Sequence, residues 1–473
     1  MLKKLFSHSL LYAIGPQIPR IVSIFILPLT TAYLTAEDYG TSAVLMAYTG
    51  AIAALKDLGV LILLVNYFFQ RKNTWPLLWR RLYGYILTWS PLYLILQSIV
   101  IYAALPKSQM HNYWSIVVMY AITNIVFDVP ISFGSRFLQL SQKPLPIAIA
   151  SATVGSIGII LNLLTIVYFK MGYMGWIVST FFSSFVSFLF YSYFTFYQLK
   201  LFPIFKYQLN HVRSLLKISL PTIPHIYSSY LLNTSDRAIL KFYEVSLDSI
   251  GKYNLAYSFG SYFEVFSTAV GMAVGPLYAK LYSLNKHLMA KNLTLFLQYL
   301  FLTIGFNIAI WMKEIIDLLI SNQDLKTSYQ ISTIIIISFL SKPFYWSTVN
   351  LMIYIKHTSD LWKISFTGGI ISIVCNLVLI PVAGIWGAAI SAFVSLSYIN
   401  FIGGYLKKIK ETGRKKHNET YWISIIAAIL ILSIFTVKLN YAYKIIISAI
   451  FTILNLFPIL KYYNILKNLE KEF

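Results

Sequence analysis

The chain has 473 residues, of which 58% are hydrophobic and 11% are charged, and its formal net charge is +22. In an ordinary soluble domain about a quarter of the residues are charged, a larger fraction than in this chain. The mean hydropathy of the chain is +0.68. This composition excludes a soluble globular fold, because no soluble core could bury so much apolar surface. The single cysteine, Cys375, excludes an intrachain disulfide framework and a cysteine metal site.

Apolar segments long enough to cross a hydrocarbon layer roughly 30 Å thick recur along the whole chain. Their length predicts helices, because membrane β-strands show only about ten residues of alternating pattern. The N-terminal half contains six such segments, at about Ser9–Tyr33, Gly40–Phe69, Tyr83–Leu105, Tyr113–Phe133, Leu145–Phe169 and Met174–Tyr197. The first segment has a basic start but is interrupted by prolines, which indicates a retained helix rather than a signal peptide.

The C-terminal half repeats this organisation and then extends it. Its segments are Ile218–Phe242, Tyr253–Tyr278, Leu293–Trp311, Tyr329–Ile353, Lys363–Val382 and Trp386–Tyr405, followed by Tyr421–Val437 and Tyr443–Leu460. The sequence therefore predicts an all-α polytopic membrane protein with about fourteen transmembrane helices. We expect an N-terminal six-helix lobe (1–197), a cytoplasmic amphipathic linker (198–217), a C-terminal six-helix lobe (218–406), and a basic loop with two extra helices (407–473).

Basic residues fall in alternate connections, and the intervening connections carry acidic residues instead. By the positive-inside rule the basic connections are cytoplasmic; they hold Lys3/Lys4, Arg71/Lys72/Arg80/Arg81, Arg136/Lys143, Lys200–Lys217, Lys280–Lys291, Lys356/Lys363, Lys407–Lys416 and Lys461–Lys471. Both termini are then cytoplasmic. Topology and contact with anionic membrane lipids explain the net charge, so we predict no nucleic-acid partner.

Two short motifs recur at matching places in the two halves. Ile18-Pro19-Arg20 corresponds to Ile223-Pro224-His225, and Asp38-Tyr39-Gly40 corresponds to Ser249-Ile250-Gly251. Because both halves begin on the same side, the pattern predicts a pseudo-two-fold repeat about an axis along the membrane normal.

Ionisable residues within the apolar segments are the candidate functional residues. A charge at the centre of a membrane helix costs on the order of 2.5–3.5 kcal/mol, so each one needs a partner or a polar cavity. The candidates chosen among them are Arg20, Lys56, Asp57, Asp128, Asp236, Arg237, Glu264 and Lys342. Sequence neighbours on a helix do not face each other, so we do not expect Lys56 to pair with Asp57, or Asp236 with Arg237. Two interpretations follow: the residues line a ligand cavity, or they form ion pairs that only stabilise the helix bundle.

His225 occupies the position that Arg20 has in the first repeat. It is a candidate for proton coupling or ligand binding, although a structural polar role is the alternative. Nucleotide-binding, zinc-protease and serine-hydrolase motifs do not occur in the sequence. We therefore expect no enzyme activity, no cofactor and no metal.

Longer motifs resemble those of a known family. The segments Phe6–Pro19, Leu27-Pro28-Leu29 and Tyr33–Gly40 resemble the start of Wzx-type polysaccharide flippases, of the multidrug/oligosaccharidyl-lipid/polysaccharide exporter superfamily. Asn233–Leu240 and Ile250–Tyr257 are similar to that family's seventh and eighth helices, and Pro381–Ala389 is similar to its turn between helices eleven and twelve.

The resemblance implies alternating access around a cationic central cavity, with an undecaprenyl-diphosphate-linked oligosaccharide as the substrate. It also implies the bacterial inner membrane, O-antigen or capsule synthesis, and polysaccharide polymerase and chain-length proteins as partners. For the head-group cavity the candidates are Arg20, Lys56, Lys342 and Arg237, and for proton or ion coupling they are Asp57, Asp128, Asp236, Glu264 and His225. The alternatives are a multidrug cation antiporter with the same fold and a membrane-embedded glycosyltransferase.

Overall fold

The computed structural model describes residues 18–71, 73–206, 209–406, 409 and 417–470. Within these residues every regular element is helical. The chain divides into two compact units, Met1–Tyr227 and Ser228–Phe473, which we call the N-terminal unit and the C-terminal unit. The basic cluster Lys407–Lys416 and the side chains of Arg20 and His225 lie outside the described part, as does the beginning of the first predicted segment.

Short turns and kinks separate the helices of the N-terminal unit. The helices are α1 (Ile18–Thr31), α2 (Ala36–Ile52), α3 (Ile62–Gln70), α4 (Trp75–Ala104), α5 (Tyr113–Ile122), α6 (Asp128–Leu140), α7 (Pro144–Asn162), α8 (Tyr173–Ser192) and α9 (Leu209–Ser219). A wide π-helical turn, Thr123–Phe127, joins α5 to α6. Similar π turns extend α7 to Tyr168 and α8 to Gln198.

The next helix, α10 (Ile223–Asn233), crosses the division between the units. The remaining helices belong to the C-terminal unit. They are α11 (Ser235–Phe242), α12 (Leu247–Ser283), α13 (His287–Ile310), α14 (Met312–Leu319), α15 (Gln323–Lys326), α16 (Tyr329–Ser338), α17 (Lys342–Tyr354), α18 (Leu361–Phe401), α19 (Glu419–Thr436) and α20 (Tyr441–Glu470).

Each predicted segment overlaps one or more of these helices, but the second, Gly40–Phe69, is not one continuous helix. It begins within α2, continues in a short 3-10 helix, Ala53–Leu55, and resumes as α3. Leu58 and Gly59 between them have positive φ values of 51° and 71°. At Gly59 a Cβ atom would lie 2.9 Å from the Ser219 carbonyl oxygen, so this close backbone contact requires glycine.

The predicted tenth segment, Tyr329–Ile353, is also divided. It forms α16 and α17, with Lys342 and Pro343 at the beginning of α17. Segments eleven and twelve form α18, within which Gly384 has φ 54° and ψ −129°. This turn lies where the sequence separated the two segments.

Two contacts join helix ends within the N-terminal unit. At the ends predicted to face outward, Asp38 forms a capping box with Thr35, and its Oδ1 accepts a hydrogen bond from the Tyr173 amide at 2.9 Å. At the ends predicted to face the cytoplasm, Arg80 Nε donates to the Phe202 carbonyl at 2.9 Å. Each contact joins ends that the charge pattern places on the same side.

Of the described helices, eight are long and apolar enough to cross a membrane. They are α4, α5 with α6, α7, α8, α13, α18, α19 and α20. The fold is thus an all-helical, multi-pass membrane fold, as predicted; the count of fourteen and the cytoplasmic termini stay predictions. Aromatic cores support both units, around Trp79 and Phe133 in the N-terminal unit and around Phe301 and Phe344 in the C-terminal unit.

Candidate transport site

Lys56 and Asp128 form an ion pair within the predicted membrane span of the N-terminal unit. Lys56 Nζ lies 2.5 Å from Asp128 Oδ2, and the side chains are 31% and 27% exposed. Lys56 follows the 3-10 helix in the break between α2 and α3, and Asp128 begins α6 directly after the π turn. Breaks and π turns in membrane helices are frequent at functional sites. The pair is therefore partly open, and it is located where the backbone departs from a regular α-helix.

Asp57 has a different role in the same break. Its Oδ1 accepts a hydrogen bond from the Gly59 amide at 2.9 Å, which stabilises the turn containing the positive-φ residues. Lys56 pairs across helices rather than with its neighbour, as the sequence predicted.

A polar cavity of about 470 Å³ adjoins Asp128. Polar residues make up much of its lining: Asp128, Asn162, Ser179, Thr180, Ser183, Ser184 and Ser187. Asn162 Oδ1 and Ser183 Oγ are buried there, and neither has a hydrogen-bond partner among the residues that the structure describes. Buried polar atoms normally have a partner, so these two atoms are available to water or to a polar ligand.

The ionisable residues of the sequence do not reveal this cavity, because uncharged serines line much of it. Ser179, Ser183 and Ser187 lie four residues apart, which places them on one face of α8. On the facing helix α7, a Cβ atom at Gly158 would lie 3.1 Å from Ser183 Oγ. The sequence pattern that indicates this cavity is therefore the four-residue spacing of serines on α8 together with glycines on α7, rather than a charged residue.

A second, looser ion pair lies in the C-terminal unit. Lys342 Nζ is 3.7 Å from Glu264 Oε1, with side-chain exposures of 17% and 35%. The Lys342 ammonium lies 5.6 Å from the ring centroids of Phe339 and Tyr345, within cation–π range. Like Lys56, Lys342 is located at a break between helical segments.

Asp236 and Arg237 form a closed cluster, which corrects the expectation that these neighbours would not pair. Arg237 Nη1 lies 2.8 Å from Asp236 Oδ1, and both side chains are buried. Thr234 has φ −140° and separates α10 from α11, so both residues lie in the first turn of α11. There the long arginine side chain folds back along the helix, and its Nη1 also donates to the Asn233 carbonyl at 2.5 Å.

Two tyrosines of α12 complete this cluster. The Tyr253 hydroxyl donates to Asp236 Oδ2, and the Arg237 guanidinium carbon lies 4.1 Å from the centroid of the Tyr257 ring. Every strong interaction of the guanidinium is thus made inside the C-terminal unit. This arrangement suits a structural clamp between α11 and α12 better than a substrate contact.

The structure places the remaining candidates only by their helices. Arg20 is carried by α1 and His225 by α10, and their side chains lie outside the described part of the chain. At α1, the ring of Pro19 packs so closely on α7 that a Cβ atom at Gly155 would lie 2.1 Å from it. Helix α1 therefore passes α7 beside the polar cavity, which Gly155 also lines.

Comparisons with known proteins identify the family. The model of the family described as "Polysaccharide biosynthesis protein" matches residues 2–282, more than half of the chain. No curated protein matches the sequence. Among solved structures, the chain is similar to a lipid II flippase MurJ in an inward closed conformation, with a TM-score of 0.70 and 12% identity over 98% of both chains.

A second solved structure has the same fold. It is a multidrug resistance MATE family transporter of the MOP superfamily in an inward-facing conformation, with a TM-score of 0.54 and 13% identity over 89% of this chain and 91% of that one. At these identities the likenesses establish the fold alone. Together with the family match they confirm the resemblance read from the sequence, and the chain belongs to the polysaccharide biosynthesis protein family.

Proposed function

We propose that this chain is a flippase that moves undecaprenyl-diphosphate-linked oligosaccharide repeat units from the cytoplasmic to the periplasmic leaflet of the bacterial inner membrane. The product would supply O-antigen or capsule synthesis, in which a polysaccharide polymerase and chain-length proteins are the expected partners. The observation that carries the proposal is the partly open Lys56–Asp128 pair beside a polar cavity, in a member of a polysaccharide biosynthesis family.

The chemistry of such a substrate matches this site. A diphosphate-sugar head group cannot enter hydrocarbon alone, because its charged and polar groups would lose their hydration. The Lys56 ammonium can replace the hydration of the phosphates, and the hydroxyls of the cavity can bond to sugar hydroxyls. The prenyl tail would stay in the lipid throughout.

The ion pair also provides a route to proton coupling. While Asp128 is ionised, it neutralises Lys56 at 2.5 Å. The diphosphate competes with Asp128 for Lys56, so the ion pair and substrate binding exclude each other. After the substrate has left, Asp128 would carry a proton during the return step of alternating access, so one carboxylate would link proton movement to substrate movement. Lys342 and Glu264 form a second pair of the same kind in the C-terminal unit.

We assign the predicted site residues on this basis. Lys56 and Lys342 supply positive charge for the head group, together with Arg20 on α1. Asp128 and Glu264 are the proton-coupling carboxylates, Asp57 holds the turn that presents Lys56, and His225 stays a candidate for coupling. Asp236 and Arg237 form a structural clamp.

The experiment is made in a strain from which the gene has been deleted. We expect a lipid-linked oligosaccharide to accumulate on the cytoplasmic face, detected by mass spectrometry, with loss of the surface polysaccharide. Expression of the wild-type chain should restore the polysaccharide, and the Lys56→Gln variant should not. Unchanged surface glycan with increased sensitivity to cationic drugs would contradict the proposal and favour a drug antiporter, the activity suggested by the MATE-like fold.

A further inference from the structure

A separate cavity of about 440 Å³ lies at the end of α6 that the basic-residue pattern places at the cytoplasm. Its lining residues are Leu61, Ser132, Ser135, Arg136, Gln139 and Ile147. The volume falls within the range of about 300–1,000 Å³ that is typical of small-molecule sites. Neither the family match nor the proposed transport site assigns a role to this cavity.

Arg136 gives the cavity its charge. Its Nη1 donates to Gln139 Oε1 at 3.0 Å, and across the described ranges of the chain no carboxylate forms an ion pair with it. The other guanidinium donors remain available for a ligand. Arginine with neighbouring hydroxyls is a donor set that suits phosphate oxygens, because the planar guanidinium can bind two of them at once.

Helix α6 connects this cavity to the Lys56–Asp128 pair. Asp128, Ser132, Ser135 and Gln139 follow one another at intervals of four, three and four residues, so they share one face of the helix. At 1.5 Å per residue, Arg136 lies about 12 Å from Asp128 along the axis. Leu61 also lines the cavity and belongs to the same break as Lys56. A polar stripe thus runs from the cavity to the ion pair.

We infer that this cavity is a docking subsite that binds the diphosphate of a prenyl-linked substrate before the head group reaches Lys56. The inference rests on the proposed flippase function. Arg136 binds the phosphates, Ser132 adds a hydroxyl donor, and Leu61 and Ile147 provide the apolar contact that a prenyl chain needs and free phosphate does not. The Ser135 hydroxyl donates to the Ser132 carbonyl at 3.1 Å, so it offers a ligand only its oxygen lone pairs.

Binding to the purified full-length chain in nanodiscs tests the subsite directly. The probes are farnesyl diphosphate, farnesol and inorganic pyrophosphate. Arg136→Gln should weaken farnesyl diphosphate binding by about tenfold, the loss of one charge-assisted contact, and leave farnesol binding unchanged. Arg136→Lys should recover only part of the affinity, because lysine cannot bind two oxygens in a fixed plane.

Arg213→Gln is the matched control, because Arg213 is also an exposed arginine on the predicted cytoplasmic side but does not line the cavity. It should change the affinity by less than about twofold. Equal affinity in Arg136→Gln and the wild type would overturn the inference. Equal binding of pyrophosphate and farnesyl diphosphate, both lost in Arg136→Gln, would support an anion site and overturn its assignment to a lipid.

Transport kinetics separate this inference from the proposed function. If the wild-type chain flips a lipid-linked oligosaccharide, Arg136→Gln should raise the half-saturating substrate concentration about tenfold and leave the maximal rate unchanged. An unchanged half-saturating concentration would overturn the subsite. If the wild type flips no such lipid, the proposed function fails, and the binding experiment still decides whether the cavity takes a prenyl diphosphate.

Discussion

Lys56 and Asp128 show how a membrane protein can retain a charge inside hydrocarbon and still use it. Each charge alone would cost on the order of 2.5–3.5 kcal/mol at the centre of a membrane helix. Their contact at 2.5 Å offsets part of that cost, while exposures of 31% and 27% leave both side chains accessible to a ligand. A pair that served stability alone would be expected to be more enclosed, as Asp236 and Arg237 are.

Variants of this pair give the first prediction. Lys56→Gln should lower the transport rate by about tenfold or more, since it removes the cation that binds the diphosphate. Asp128→Asn, which mimics the protonated carboxyl, should keep substrate binding and lose the pH dependence of transport. Flipping rates measured across a pH series check both expectations.

The matched control for this prediction is Lys252→Gln, which breaks a partly exposed i,i+4 pair with Asp248. Surface pairs of this kind contribute little, so its rate should stay within about twofold of the wild type. A pH-dependent Asp128→Asn variant would contradict the coupling role of Asp128.

The Asp236–Arg237 cluster gives the second prediction, which concerns stability rather than transport. Arg237→Gln would leave a buried carboxylate without its cation, a change that typically costs about 3–5 kcal/mol. Arg237→Lys should rescue little, because the guanidinium plane also stacks on the Tyr257 ring. The thermal unfolding temperature of purified protein in detergent measures both effects. Unfolding temperatures equal to that of the wild type would exclude the clamp.

At the residue scale, the sequence predicted that Lys56 needs a partner on another helix or a polar cavity, and Asp128 is such a partner. It could not predict how Asp236 and Arg237 pair, because that geometry depends on the helix break at Thr234. The serines of α8 carry no charge and so gave no signal in a search for ionisable residues. Their importance follows only from the packing of α8 against α7.

At the scale of helices, two glycine turns have nearly the same backbone angles, one in each unit. Gly172 has φ 54° and ψ −138°, and Gly384 has φ 54° and ψ −129°. In each unit a second glycine follows three residues later, Gly175 and Gly387, where the chain packs closely on the preceding helical segment. The same backbone turn therefore joins the fifth predicted segment to the sixth and the eleventh to the twelfth.

The third prediction tests this turn. A Cβ atom at Gly387 would lie 2.3 Å from the Leu379 carbonyl oxygen, and backbone cannot move aside as a flexible side chain can. Gly387→Ala should therefore destabilise the protein by about 1–3 kcal/mol, the cost of an overpacked site. In the control Gly275→Ala, the new Cβ would lie 3.5 Å from Asn350 Oδ1, an ordinary contact. Equal unfolding temperatures of the two variants would contradict the account.

A polar ladder attaches the last helix to the C-terminal unit. Asn307 Nδ2 donates to Thr452 Oγ1 at 3.1 Å, and Trp311 Nε1 donates to Ser448 Oγ at 3.2 Å. At the end of the ladder, Lys444 Nζ contacts both carboxylate oxygens of Glu314 at 2.7 and 2.8 Å. From Asn307 to Glu314 the residue numbers rise, while those of their partners in α20 fall from Thr452 to Lys444. Helix α20 is therefore antiparallel to α13.

The fourth prediction concerns this ladder. The Lys444 side chain is fully buried, so Glu314→Gln should destabilise the attachment of α20 by about 3–5 kcal/mol. The double variant Glu314→Leu/Lys444→Met should recover most of the stability, since it leaves no unpaired charge. Limited proteolysis within α20 measures the attachment. A double variant as labile as Glu314→Gln would contradict the role of the pair.

The helical elements were largely predictable from apolar length, because each predicted segment overlaps a helix. The breaks within Gly40–Phe69 and Tyr329–Ile353 were not, since hydropathy contains no information on backbone angles. Lys56 and Lys342 lie at these two breaks. Hydropathy therefore predicted that both lysines lie within apolar segments, but not that each lies where the helix is interrupted.

At the scale of the whole molecule, composition alone identified a multi-pass membrane protein, and the sequence motifs identified the family. The family motifs consist of apolar and small residues, which fix helix packing but make few contacts that would distinguish one cargo from another.

The fifth prediction, and the most direct test of the flippase proposal, uses the purified chain in liposomes with a lipid-linked oligosaccharide whose sugar is labelled. Sugar in the outer leaflet should become protected from an external glycosidase faster with the wild-type chain than in protein-free liposomes. The rate with Lys56→Gln should fall close to the protein-free rate, while that with Lys252→Gln should not. A wild-type rate equal to that of protein-free liposomes would contradict the central claim.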